Sequence, residues 1–336
     1  MRRIVCLISS LCLSIFVSWA DGFAAELNYE KLKSLGGYQG EIYSAAFSPD
    51  GNFMAVGFND GVVRIWEVQN WKIIATLQEN ENDVTAIAFS PDNRTLATGD
   101  SQKRIILWNT NTWAKSTKLK AYGGVNALAY SKDGTHLAVA TSDDIAQLWD
   151  LGKNEFVKLK GHNRKVNTLA YSPDSANLVT GSNDDSIIIW NAIDGKKIKQ
   201  TKAHNGSVMK VTYSNDGKLV LSGSADNTIA LYDAKNGDFI DALTEHTEEI
   251  CSFAKMSSNN IVVSADCVNV PGPWGIRLKD TKNTCKIIFW DLAAKKPLKT
   301  LESNCDLSFV TVSPDDKYLV AGYAKSEKRI LVFEKK

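Results

Sequence analysis

The stretch that decides the fold runs from Gly161 to Thr201 and reads GHNRKVNTLAYSPDSANLVTGSNDDSIIIWNAIDGKKIKQT. Val166, Thr168 and Ala170 alternate with Asn167, Leu169 and Tyr171, the two-residue period of a strand. A Ser-Pro-Asp-Ser turn follows, then Leu178-Val179-Thr180, then the polar run Asn183-Asp184-Asp185. Ile187-Ile188-Ile189-Trp190 comes next, and after the Asp194-Gly195 turn, Lys197-Ile198-Lys199-Gln200-Thr201. β-branched runs bounded by Asp, Asn, Gly and Pro predict four short antiparallel strands.

Working outward, the same unit recurs. Its turn string appears as FSPD at Phe47 and Phe89, YSKD at Tyr130, YSPD at Tyr171 and YSND at Tyr213, with weaker copies KMSS at Lys255 and VSPD at Val312. A second string ends each unit, at Trp66, Trp108, Trp149, Trp190, Tyr232, Trp290 and Phe333. Both series give seven units of about 42 residues, the sixth lengthened by about 16. The units fall near 36–78, 79–120, 121–160, 161–202, 203–244, 245–302 and 303–336. No segment after the N-terminal leader shows a sustained helical period.

A Gly-His near the start of each unit and a Trp-Asp near its end mark the WD-repeat family, and the chain resembles that family from Leu32 to Phe333. The resemblance implies an all-β, seven-bladed β-propeller with four antiparallel strands per blade. Ring closure agrees with the physics, since each unit buries its faces only against neighbours and an open stack would leave bare edges. The seventh unit stops at Lys336 after its third strand. Tyr29–Leu35, leading into Gly36-Gly37-Tyr38, matches Phe156–Lys160 leading into Gly161-His162. Residues 29–35 are therefore expected to supply the missing outer strand of the last blade.

His162, His204 and His246 lie 42 residues apart. Equivalent positions in different blades do not converge, so they are not read as metal ligands. The resemblance instead places each in a hydrogen-bond chain inside its own blade: His162 with Thr180, Asp184 and Trp190, and His204 with Ser222 and Asp226, Tyr232 replacing the tryptophan. Units 1, 2, 3 and 7 lack the histidine. Asp50, Asp92, Asp133, Asp174, Asp216 and Asp315 recur as turn residues. Trp71 and Trp113 each follow a repeat tryptophan by five residues and are expected to cap their own outer strands, or to form an aromatic patch across two units.

The chain has 336 residues, 44% hydrophobic and 23% charged, a soluble globular composition that excludes wholesale disorder. Its formal net charge of +1 gives no support to nucleic-acid binding. Arg2 and Arg3, the apolar run Ile4–Trp19 and small residues at Ser18 and Ala20 have the layout of a signal peptide over residues 1–20, cut near Ala20 or Ala24. An uncleaved anchor or a buried helix are the other readings. Export to the periplasm or beyond, as a bacterial-type member without a membrane span in the mature chain, is the expectation. Cys251, Cys267, Cys285 and Cys305 all lie in the last two units. In an exported chain an even number of cysteines suggests disulfides. The neck of the insert favours Cys267–Cys285, leaving Cys251–Cys305.

No Gly-x-Ser-x-Gly, His-Glu-x-x-His, phosphate-cradling glycine loop or Cys-x-x-Cys occurs. The sequence thus points to no catalytic residue, metal or cofactor. The reading is a monomeric scaffold for a protein or peptide partner, docked on the loop face over the channel mouth. Expected there are Tyr43, Thr85, Asn126, Asn167 and Met209 at the starts of inner strands, with Phe58, Arg164 and Lys165 on nearby loops. The insert Val268–Thr284 adds Trp274, Arg277 and Lys279, with Pro271 and Pro273 stiffening it. A small-ligand-binding or hydrolytic, lactonase-like propeller is the competing class; converging carboxylates in the channel would favour it.

Overall fold

The computed structural model describes residues 27–36, 40–80, 82–258, 260–267, 285–303, 307–323 and 329–336. Among them the chain forms seven four-stranded antiparallel sheets, arranged as the blades of a propeller. The innermost strands, in blade order, are Ile42–Phe47, Val84–Phe89, Val125–Tyr130, Val166–Tyr171, Val208–Tyr213, Ile250–Lys255 and Leu307–Val312. Each pairs with the strand that follows it in sequence, and so on outward. The leader residues 1–20 lie outside the described residues.

The seventh blade has the order Tyr29–Leu35, Arg329–Lys335, Tyr318–Tyr323, Leu307–Val312, so the N-terminal strand closes the ring. Its register runs from Tyr29 opposite Lys335 to Leu35 opposite Ile330, with an irregularity between Lys31 and Lys33. Only its ends are buried, Tyr29 at 7% and Leu35 at 6% exposure. The Tyr29 ring stacks on Phe289 of blade 6 and its hydroxyl donates to the Asp316 carbonyl at 2.6 Å. The clasp therefore ties together two blades as well as the two ends of the chain.

Burial is graded across each blade. In blade 4 the third strand Ser186–Asn191 is buried along nearly its whole length, whereas the outer strand Lys197–Lys202 is almost wholly exposed. The cores lie between blades: Val63 and Ile65 of blade 1 pack with Leu96, Ile106 and Trp108 of blade 2. Burying each such aliphatic side chain contributes roughly 1.5–3 kcal/mol. Close approach of the blades explains the recurring glycine near the end of the second strands. A Cβ on Gly57, Gly99, Gly181 or Gly223 would come within 2.6, 2.4, 2.5 or 2.6 Å of Val84, Val125, Val208 or Ile250 on the next blade.

The turns between first and second strands stitch neighbouring blades by a rule that strand periodicity does not reveal. The turn's left-handed position is glycine in blades 1, 3 and 5 and Asn93, Ser175, Asn260 or Asp316 in the rest. Gly51, Gly134 and Gly217 each face a proline of the preceding blade's turn, Pro314, Pro91 and Pro173. Where that place holds Lys132, Asn215 or Ser257, its backbone N–H donates to Ser175, Asn260 or Asp316. Proline has no N–H to give. Blade 2 is the exception: Asn93 accepts from the N–H of Asp50, the residue after Pro49.

Trp71 and Trp113 act at this same end, not as caps of their own strands. Each has positive φ (56° and 55°) and packs edge-on against the preceding blade, Trp71 on Tyr318 and Trp113 on Phe53. The left-handed turn aims each ring at the seam with the preceding blade, where Trp71 also meets Phe47 of its own inner strand, and sequence spacing does not carry that direction.

Candidate docking face and channel

Antiparallel order puts two sets of connections at one end of every blade: those from second to third strands, and those from one blade to the next. Here the inner strands begin. A ring of side chains bonds across the seams between blades. Ser44 Oγ donates to the Val84 carbonyl at 3.1 Å, Thr85 Oγ1 to that of Val125, Asn126 Nδ2 to Val166 at 2.7 Å and Asn167 Nδ2 to Val208 at 2.8 Å. Ser252 Oγ donates to the Val310 carbonyl and accepts its N–H.

Thr85, Asn126 and Asn167, expected as partner contacts, are thus buried and committed to holding the ring together. Phe58 is a second correction: it is 0% exposed within the core shared with blade 7, and the Arg64 guanidinium lies 4.4 Å over its ring. Met209 is 7% exposed but lines the channel, Tyr43 is half-buried there, and Arg164 is exposed. Burial, with Asp83 and Glu41 nearby, pushes the Tyr43 hydroxyl up to about 12. Burial also brings Lys165 down to about 8. Trp274, Arg277 and Lys279 lie outside the described residues.

The histidines sit inside their own blades. His162 Nε2 lies 2.7 Å from Thr180 Oγ1 and Nδ1 3.0 Å from Asp184 Oδ2, while Trp190 Nε1 donates to the same threonine at 2.9 Å. His204 repeats the pattern with Ser222 at 2.7 Å and Asp226 at 3.0 Å. The Tyr232 hydroxyl donates to the Ala203 carbonyl at 2.9 Å. Burial raises the Asp184 carboxyl, but hydrogen bonds from His162, Ser186 and the Asn163 N–H outweigh it and hold the group well below the usual range. Such chains fix packing when every member is satisfied.

Sequence reading missed one further network and left the partners of His246 unnamed. In blade 2, Asn80 Nδ2 donates to Thr98 Oγ1 at 3.3 Å, and Trp108 Nε1 to the same oxygen at 3.0 Å. Asn80, Thr98 and Trp108 each precede His162, Thr180 and Trp190 by 82 residues, so register alone points to them. In blade 6, His246 Nε2 hydrogen-bonds Ser264 Oγ at 2.6 Å, its Nδ1 lies 2.9 Å from Asp266 Oδ2 but out of line for a hydrogen bond, and Trp290 Nε1 donates to Ser264 at 2.7 Å.

The cysteines pair differently from expectation. Cys251 is bonded to Cys267, with Cα atoms 6.0 Å apart. Cys251 is the extra residue between Ile250, which faces Asp266, and Ser252, which faces Ala265, and Cys267 directly follows the partner strand, so the two meet across the pair without needing the insert. Cys267–Cys285 and Cys251–Cys305 therefore do not form; Cys285 is buried and itself disulfide-bonded, and Cys305 lies outside the described residues.

Inside the ring lies a cavity of about 270 Å³, lined by residues of all seven inner strands. Among the described residues lining it there is no carboxylate, and no group of three or more His, Cys, Asp or Glu side chains is poised for a metal ion anywhere in the described chain.

Seven repeated four-stranded blades, the strand clasp and the histidine chains define a WD-repeat propeller, a class whose members typically serve as protein-interaction scaffolds. A family model described as the IFT122 first beta-propeller matches residues 25–266, and the chain belongs to that family. A 62-residue stretch is 42% identical to the general transcriptional corepressor TUP1 of Saccharomyces cerevisiae. That match covers 17% of this chain and 9% of the yeast protein, so the two share a small part of their length.

Proposed function

We propose that the chain is a non-catalytic, monomeric scaffold outside the cytoplasm that docks a protein or peptide on the loop face over the channel mouth. The observation that carries this is the composition of that end: half-buried Tyr43 lines a cavity whose described lining offers no carboxylate, and exposed Arg164 lies on the connection leading into the inner strand of blade 4. A hydrolytic propeller would need acid or metal chemistry at that place. Aromatic and arginine side chains beside small polar ones suit a protein contact. Trp274, Arg277 and Lys279 of the insert are proposed as its distinguishing element, with Met209 at the channel wall.

Export is supported by the leader's charge and apolar pattern and by the disulfide. No helix among the described residues is long and apolar enough to cross a membrane.

The experiment is capture from envelope extract by the wild-type chain and by the Arg164→Glu and Trp274→Ala variants. Capture of one discrete partner, weakened in both variants with melting temperature nearly unchanged, is the expected result. A large fall in melting temperature for Trp274→Ala with capture intact would make that tryptophan a packing residue. Equal capture by all three chains would remove the docking face. N-terminal sequencing of the exported chain should begin near Asp21 or Ala25; a chain retained in the cytoplasm would overturn export.

A further inference from the structure

Lys210 is the one charged side chain among the described residues lining the channel cavity. It stands opposite Gly223 at the third place of its inner strand, a place held elsewhere by Ser44, Ala86, Ala127, Thr168, Ser252 and Phe309. No ion pair reaches its ammonium among the described residues, and burial alone lowers its pKa. The side chain is half-buried, and a cation partly withdrawn from water without a counter-ion is favoured by an anion bound beside it. A second observation points into the same cavity. Ser308 is 8% exposed, lines the channel, and its hydroxyl has no hydrogen-bond partner. Its counterparts Thr85, Asn126 and Asn167 are all bonded across a seam. Thr168, also in the lining, accepts the Val211 N–H through Oγ1 and keeps its own proton.

We propose that the channel binds a carboxylate anion, paired with the Lys210 ammonium, with the Ser308 and Thr168 hydroxyls as the donors of the same cavity. A carboxylate fits better than phosphate because the lining offers one positive charge and no arginine fork. About 270 Å³ is just under the range of drug-sized pockets, roughly 300–1,000 Å³. It suits an acid of a few carbons or the terminal residue of a peptide. The site does not depend on a protein partner.

The test is calorimetric titration of the full chain with propionate, with the tripeptide Ala-Ala-Ala, with its C-terminal amide and with inorganic phosphate. Binding of the free acids but not the amide is expected. Lys210→Met should weaken it by about tenfold or more, and Ser308→Ala by about threefold, while Lys210→Arg keeps it. Lys210→Met should melt no lower than wild type, since it removes a desolvated charge; if it fails to fold, Lys210→Gln replaces it. Propionate binding alone assigns the site to a free acid, tripeptide binding alone to a chain terminus. No binding of either acid, tighter binding of phosphate, or unchanged affinity in both uncharged variants would overturn the proposal.

Discussion

Blades 2 to 5 and blades 6 to 7 solve one problem in two ways. In the first arc every blade is a single continuous stretch of chain. In the second the repeat is broken: an insert divides blade 6, a disulfide joins two of its strands, and blade 7 borrows a strand from the other end of the chain. The polar chain of blade 6 shows what survives. Asp184 of blade 4 lies in the turn and accepts the N–H groups of Asn163 and Ser186. Asp266 lies two places earlier, on the strand itself, yet accepts the equivalent N–H groups of Thr247 and Lys286. Asp100 of blade 2 holds the same strand place and accepts the Arg104 N–H at 2.9 Å beside a short turn, so a carboxylate on the strand tolerates a lengthened turn without requiring one. What the fold preserves is the hydrogen-bond pattern, and the sequence position supplying it can shift.

The closing arc breaks most completely at its clasp. A chain beginning at Tyr38 lacks the outer strand and the Tyr29 contacts to blades 6 and 7. It is expected to fail to fold or to melt at least about 5 °C lower by circular dichroism. Removing an equal length of outer strand has no counterpart in blades 2 to 5, where neighbours hold each strand from both sides in sequence. A truncated chain that melts with wild type would mean that the ring does not need its seventh outer strand.

Next comes the shifted aspartate. His246 and Asp266 are both 0% exposed at the side chain, whereas Asp184 beside His162 is 9% exposed. Asp266→Ala strands a buried imidazole and two backbone N–H groups, and should cost about 3–5 kcal/mol in urea unfolding. Asp184→Ala, at a carboxylate that itself reaches the surface, should cost about 1–3 kcal/mol. Equal losses would show that the two networks are equivalent despite their different depth.

The disulfide gives a smaller effect. Its cysteines are 16 residues apart, and closing a loop of that size contributes about 3 kcal/mol in the chain-entropy model. A Cys251→Ala, Cys267→Ala double variant should lose up to that amount, and reducing agent should then no longer alter its urea midpoint by way of this pair. Non-reducing peptide mapping should recover Cys251 joined to Cys267. Recovery of Cys267 joined to Cys285 would restore the pairing expected from the insert's neck.

The same contrast explains what the sequence disclosed. Periodicity and spacing were enough for the seven blades, their four strands and the clasp, because those depend on alternating burial and on counting. The histidine chains of blades 4 and 5 followed from matching residues. What escaped were features set by direction in space. Trp71 and Trp113 point backward because their φ is positive, and Phe58 is covered because Arg64 folds over it. Thr85, Asn126 and Asn167 look like free polar residues until the next blade's carbonyls are placed beside them. Cys251 and Cys267 are neighbours across a strand pair, a proximity that alignment to the other units obscured.

The smallest expected effect belongs to the regular arc and concerns pH. Burial lowers the pKa of His204 from its ordinary 6.5, and the opposing pull of Asp226 does not restore it. The folded value therefore lies below the unfolded one, and between them the unfolded chain binds more protons. Stability from this group is complete above about 6.5 and is lost as pH falls toward the folded value. Asp226 is itself held below the ordinary carboxylate value, burial notwithstanding, by Thr228 and His204, so it stays ionised across this window and the change belongs to the imidazole. The urea midpoint should accordingly be lower at pH 5.5 than at pH 7.5. His204→Gln, which keeps a donor and an acceptor but cannot be protonated, should show a shallower fall over the same range. If the variant and the wild type fall in parallel, His204 does not enter the fold as the neutral ring, and the polar chain of blade 5 is an ion pair.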